Sequence, residues 1–354
     1  MKTSSIITML AALGALAAGL FSSALRAAEP NKELNLFAWS EYIPQSVIDD
    51  FTKETGIKVN YETFASGEEM LQKVITGGTK YDVIQPCDYI AEGMIKARPA
   101  LVQPIDYSKL PNFANISPDF LGLAYDPQQK YTIPFMVSTV GIVYNTDKIK
   151  DDIKGYKDIF QPKYKGRIVT VDDGREMVSW ALNCLGLDIN AINRVNVRKA
   201  RALMAGWVKL IKVYDSDSPK TSLLNGDVDI GVVWGGEAAR LWREDKKFKY
   251  VLPSEGAHMF VDMWAIPVNA RNVEAAHKFL DYIMRAEVAA VISRAFPYLN
   301  PNLAAQKLLS KEDLENPASY PKIDIKSLGI FRDVPGSGDL TDQVYTDLKN
   351  SSGY

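Results

Sequence analysis

Five places along this chain gather carboxylates, most of them beside an aromatic residue. They are Trp39, Ser40, Glu41 and Tyr42; Cys87, Asp88 and Tyr89; Asp172, Asp173 and Glu176; Trp234, Gly235, Gly236 and Glu237; and Phe260 with Asp262. A ring face attracts an alkylammonium ion by ~0.5–2 kcal/mol, and a carboxylate offers it a charge-assisted hydrogen bond of ~1.5–3 kcal/mol. Aromatic walls also suit the methylenes between two amines. Any one of these rings, Trp39 included, is explained by packing alone. The recurrence points to a binding surface for a small organic cation.

Other chemistries lack their parts. His258 and His277, the two histidines, stand far apart without metal-ligand spacing, and each is expected to be an ordinary surface or packing residue. Neither GxSxG nor a phosphate-cradling glycine loop occurs. An exported enzyme using Cys87 as nucleophile would need a base, and neither histidine has a sequence link to it. No cofactor and no metal are expected. No basic block stands out, which argues against nucleic acid.

The elements that must hold these residues alternate in type. Glu33–Trp39 reads as a strand; Pro44 opens a helix carrying Val47, Ile48 and Phe51 at helical spacing, and Gly56 ends it. Strands follow at Ile57–Phe64 and Tyr81–Gln85, with helices at Glu68–Ile75 and Asp88–Ala97. The pattern recurs with strands Gly166–Val171, Asp229–Trp234 and Phe260–Pro267. Its helices are Arg175–Leu185, Val197–Ile211, Val273–Met284 and Glu287–Arg294. Strands joined through helices imply an α/β fold with a largely parallel sheet. In such sheets ligands collect beyond the strands' carboxyl ends, where the first four clusters fall, while Phe260 and Asp262 lie on the next strand.

The first residues address the compartment. Lys2 precedes an apolar run from Ile6 to Phe21 and then small residues through Ala28. That order describes a secretory signal peptide, cleaved after Ala24 or Ala27. The run is short of the ~18–20 residues of a spanning helix. No cysteine follows it, so a lipid anchor is not expected, and a Gram-negative periplasm fits best. The remaining chain of about 325 residues suggests two domains. The chain carries 41 Lys and Arg against 43 Asp and Glu, a net charge of −2. Losing Lys2 and Arg26 makes it −4, a modest acidity that suits a cationic ligand. Cys87 and Cys184 are too few for a disulfide scaffold.

The chain resembles the substrate-binding proteins of spermidine/putrescine ABC transporters over nearly all of its exported length. The likeness is carried by AWSEYIP (38–44), FTKETGIKV (51–59), YDVIQPCDY (81–89), PKYKGRI (162–168) and DDGREM (172–177). It continues in NGDVDIGVVWGGEA (225–238), FVDMWAIPVNARN (260–272) and YLNPNLAA (298–305). FTKETGIKV is widespread among binding proteins of this architecture, whereas DDGRE and the W-x-E-Y opening are specific.

The resemblance implies a type II periplasmic-binding-protein fold of two α/β lobes, each a central sheet flanked by helices, closing on ligand in the interlobe cleft. With a signal peptide at 1–27, lobe 1 would comprise 28–138 and 261–306, and lobe 2 would comprise 139–260 and 307–354. Crossings would lie near Thr139, Phe260 and Gln306. Trp39 and Tyr42 would form one aromatic side, with Ser40 and Glu41 beside them and Tyr89 and Cys87 near one ligand end. Asp173 and Glu176 would receive amino groups, Trp234 would stack on the methylenes, and Glu237 would sit at its edge. Asp262 would pair with a terminal ammonium, under Phe260 and Tyr298.

The implied partners are a polyamine and the inner-membrane permease subunits of an ABC importer, with the protein itself a monomer. Three departures bear on the ligand. Cys87 stands where the family usually has Ser, Phe260 replaces a Trp common in spermidine binders, with Phe331 near an often polar position, and Glu237 adds a carboxylate. They lean toward a diamine and leave the choice open. The same fold binding another small cationic solute, or serving a polyamine sensor, reads alike.

Overall fold

The computed structural model describes residues 32–64, 66–78, 80–324 and 327–352; the expected leader lies outside them. β1 (Glu33–Trp39) buries Leu34, Leu36, Phe37 and Ala38 completely. Pro44 leads into α1 (Gln45–Thr55), which turns Val47, Ile48 and Phe51 inward, and Gly56 at φ 69° closes it by donating to the Thr52 carbonyl. β2 (Lys58–Phe64) returns parallel to β1. The Ser66 hydroxyl caps α2 (Gly67–Thr76) by accepting from the Glu69 N–H. β3 is shorter than its sequence suggests, only Val83–Ile84, and leads to α3 (Asp88–Lys96). β4 (Val102–Gln103) completes this part.

β5 (Thr132–Asn145) is fourteen residues long and buried along all but its last. Sequence reading does not find it, because a strand covered on both faces has no period-two signal. Beyond it come β6 (Ile168–Thr170), α4 (Gly174–Cys184) and α5 (Arg194–Trp207). β7 (Ile211–Tyr214), β8 (Ile230–Trp234), α6 (Gly235–Glu244), β9 (Phe248–Val251) and β10 (Met259–Pro267) follow. The helices α7 (Val273–Ile283), α8 (Ala286–Ala295) and α9 (Ser337–Ser352) finish the fold.

The helix expected over Val197–Ile211 is shifted. Asn193 accepts from the Val195 and Asn196 N–H groups and starts it early, while Ile211 leaves to pair with Ile168 of β6. Amphipathic periodicity continues across this junction, so only the pairing partner marks the helix end.

The sheet runs β2-β1-β3-β10-β5-β8-β6-β7, with β4 added to β10 and β9 to β5. It is parallel at both wings, where β1 pairs with β2 and β3 and β6 with β7 and β8. The expectation of a largely parallel sheet fails at the centre. There β10 is antiparallel to β3, β4 and β5, and β5 is antiparallel to β8 and β9. These two long strands join the wings, and the βαβ argument does not apply to them. β5 pairs with β10 up to Thr139 and with β8 and β9 from Val140 onward.

The apolar core is correspondingly divided. One cluster gathers Trp180, Tyr156, Ile142 and Val232; another gathers Leu36, Phe51, Trp264 and Phe279. Tyr298 packs against both.

Candidate ligand-binding cavity

Five strand ends converge between the two core clusters. At the end of β1 the Trp39 N–H donates to Gln85 Oε1 and the Ser40 N–H to the Phe64 carbonyl, which fixes the turn. Glu41 then adopts φ 55°, a left-handed conformation, and the Tyr42 that follows it is buried. The Tyr42 hydroxyl donates to Asp262 Oδ2 at 2.7 Å. Asp262 stands beside an irregularity in the β5–β10 ladder, where Asp262 and Met263 face Met136 and Pro134. A proline that cannot donate is tolerated at such a bulge, and bulges re-aim neighbouring side chains.

The far wall comes from β8 and α6. Gly235 and Gly236 are required by crowding: a Cβ on Gly235 would lie 2.4 Å from Ser138 Oγ, and one on Gly236 would lie 2.3 Å from the Tyr298 ring. They let Trp234 lie edge-to-face against Phe260, centroids 5.7 Å apart, while its indole N–H donates to the Ser216 carbonyl. Tyr42 and Tyr298 rings meet at 5.1 Å.

These walls surround a cleft of about 530 Å³ that is partly open to solvent, and all thirteen residues singled out from sequence line it. They are Trp39, Ser40, Glu41, Tyr42, Cys87, Tyr89, Asp173, Glu176, Trp234, Glu237, Phe260, Asp262 and Tyr298. Their carboxylates differ in what they already hold. Glu237 pairs with Lys220 at 2.7 Å and Glu41 with Arg240 at 2.8 Å. Glu176 Oε1 lies 2.6 Å from His258 Nδ1, and its Oε2 accepts from the Trp180 indole. Asp173 caps α4 by accepting the Glu176 N–H, and Asp262 accepts from the Tyr42 hydroxyl.

Burial drives the protonation of the last two. Burial, reinforced by Glu176, raises the Asp173 carboxyl to about 7. Burial raises Asp262 to about 7 as well, with Asp88 adding to it and the Tyr42 hydroxyl opposing.

Several lining residues escaped the sequence reading, including Glu68, Arg175, Arg240 and His258. His258 is no ordinary surface or packing residue. It is buried, stacked on Phe331 at 3.6 Å, and set between Glu176 and Asp88. A signal was available, since His258, Phe260 and Asp262 are spaced two apart, as residues sharing one face of a strand are. Arg175 lies over the Tyr89 ring at 4.2 Å and the Phe331 ring at 4.5 Å. Glu68 accepts the Tyr89 hydroxyl. Among the described residues, no group of three or more His, Cys, Asp or Glu could hold a metal ion.

Both cysteines are free, Cys87 in the cavity wall and Cys184 on α4 beside Glu255. Burial pushes both thiols up, Cys184 to about 12, with neighbouring carboxylates adding to it. Packed in different clusters, they should stay unpaired even in an oxidising compartment. Thiol counting on denatured, unreduced monomer should find both; finding none overturns this.

A profile described as bacterial extracellular solute-binding protein matches residues 46–322. The Spermidine/putrescine-binding periplasmic protein of Escherichia coli K12 is 34% identical over 343 residues, covering 96% of this chain and 97% of that protein. The Putrescine-binding periplasmic protein PotF of the same organism is 33% identical over 335 residues, covering 87% and 90%. The solved spermidine/putrescine ABC transporter substrate-binding protein PotD of Streptococcus pneumoniae superposes with a TM-score of 0.77 at 32% identity. It spans 90% of this chain and 98% of that one.

Proposed function

This chain belongs to the bacterial extracellular solute-binding protein family, and from that premise we infer that it captures a linear polyamine for an ABC importer. The observation that carries the reading is a cavity in which two carboxylates, the half-buried Asp173 and the buried Asp262, lack an ion-pair partner among the described residues, between aromatic walls. An alkyl chain with an ammonium at each end supplies what that arrangement lacks. Asp262 and Asp173 receive the ammonium groups. Trp39, Tyr42, Tyr89, Trp234, Phe260 and Tyr298 contact the methylenes, while Ser40, Glu41, Cys87, Glu176 and Glu237 complete the walls.

The role is binding and not catalysis. Burial, with Asp88 and other carboxylates nearby, keeps the Cys87 thiol protonated and a poor nucleophile. A leader at 1–27 sends a monomer to the periplasm, where it meets the permease subunits. One lobe comprises 28–138 and 261–306, the other 139–260 and 307–354. The change of pairing along β5 at Thr139–Val140 supports that division, and the Glu41–Arg240 pair would span it.

The test is calorimetry of leaderless, ligand-stripped protein against putrescine, cadaverine, spermidine, spermine, agmatine and an amino-acid panel. One-to-one binding with Kd at or below about 1 μM, some −8 kcal/mol, is expected for at least one polyamine. Failure of every polyamine at millimolar concentration refutes the reading.

A pH dependence follows. With carboxyl groups near 7, Asp173 and Asp262 are largely protonated at pH 5.5 in the empty cavity, and ammonium binding must ionise them. Affinity should therefore rise from pH 5.5 to 8, by up to about tenfold per pH unit per carboxylate, with proton release. The raised values favour folding of the protonated state. The empty protein should lose this contribution as pH rises from the ordinary aspartate range through 7, and ligand should restore it. Calorimetry in buffers of different ionisation heat reads the protons released; a flat affinity over this range overturns the assignment.

A further inference from the structure

Between Glu176 and Asp88 the cavity holds a further buried anionic station, and His258 occupies it. The imidazole Nδ1 lies 2.6 Å from Glu176 Oε1 on α4, and Nε2 lies 3.9 Å from Asp88 Oδ2 on α3. That Asp88 oxygen has no hydrogen-bond partner. Phe331 covers one ring face, tilted 21° from it, and carries Arg175 at 4.5 Å. From β10, Phe260 stands 6.1 Å away, with Asp262 beyond it on the same strand.

A neutral ring could donate to Glu176 only by turning a bare nitrogen toward the Asp88 carboxylate. The doubly protonated ring donates to Glu176 and sets its positive charge 3.9 Å from Asp88, an ion pair without a hydrogen bond. Burial opposes that charge, but Glu176 and Asp88 outweigh it and hold His258 at about 9. Lys349 pairs at 2.7 Å with Asp172 on the cavity wall, as Lys220 pairs with Glu237.

We propose that His258 is a resident cation filling a third ammonium seat, so that the site accepts a diamine and discriminates against a triamine. The proposal rests on the polyamine reading above. A triamine's extra ammonium would have to contest Glu176 and Asp88 with the imidazolium, and two buried cations set against each other reject the longer ligand. A diamine needs only Asp173 and Asp262.

Calorimetry of putrescine and spermidine, on the parent and on His258→Gln, tests the preference. The parent should favour putrescine by about tenfold or more, and His258→Gln should erase at least about a tenfold share of that preference by tightening spermidine. Spermidine binding the parent as tightly as putrescine overturns the proposal, as does a folded His258→Gln protein with an unchanged ratio. Should the variant fail to fold, the parent's ratio and an NMR titration decide. The two histidines make assignment simple, and His258 should stay cationic through pH 8; titration below pH 7 overturns the resident cation. If neither amine binds the parent, the polyamine reading itself falls, while the titration still judges the charge on His258.

Discussion

Asp262→Asn should cost the protein about 3–5 kcal/mol of polyamine affinity, the usual penalty for removing one partner of a buried charge pair. That is roughly a hundredfold to a few thousandfold in Kd. The substitution keeps the shape, yet leaves an enclosed ammonium without a counter-ion. Asp262 is 2% exposed, and its carboxylate meets the Tyr42 hydroxyl and caps no backbone N–H. An exposed ion pair would lose under ~1 kcal/mol, so magnitude separates a site residue from a surface one. The measurement belongs at pH 8, where the parent carboxylate near 7 is mostly ionised before ligand arrives. Calorimetry on variant and parent, with the fold checked by circular dichroism, reads the loss. A folded variant within threefold of parental affinity removes Asp262 from the site.

Asp82→Asn should destabilise the fold by a similar amount from a position outside the cavity lining. Asp82 is fully buried where β1, β3 and the start of α7 meet. Its Oδ1 accepts the Arg271 and Asn272 N–H groups at 2.9 and 2.8 Å. Its Oδ2 accepts from the Asn35 N–H at 2.9 Å and from the amide groups of Asn35 and Asn272 at 3.2 and 3.0 Å. An asparagine must turn an NH₂ toward one of these sets of donors. At ~1.5–3 kcal/mol for each hydrogen bond to a charged group, losing two costs about 3–6 kcal/mol. Urea unfolding should show a lower midpoint with an unchanged slope. Because Asp82 lies six residues before Asp88, the loop carrying Cys87, Asp88 and Tyr89 should loosen with it. A loss under about 1 kcal/mol contradicts the hub role.

The parts of the fold legible in sequence are those whose signals are local. Pro44, the Val47–Ile48–Phe51 spacing and Gly56 delimit α1 because proline, helical periodicity and a left-handed glycine act within a turn or two. Trp39, Trp234 and Asp262 are recognisable because a ring within three positions of a carboxylate, at or on a strand, is a pattern local in the chain. β5 and β9 lack such signals, and β7 hides in the tail of a helical period. The antiparallel centre of the sheet depends on which buried strands meet, and burial on both faces erases the alternation that would announce them.

Residue types and their order along the chain, with the family resemblance they carry, thus singled out thirteen positions and the α/β elements that carry them, and all thirteen line one cavity. Which carboxylates in that set remain free was decided only by tertiary structure. Lys220 neutralises Glu237 across 17 positions, Arg240 reaches Glu41 across 199, and His258 takes Glu176 across 82. Charge pairing acts over a few ångströms of space, and the chain brings these partners together only when β5 and β10 bind the two wings of the sheet into one cavity.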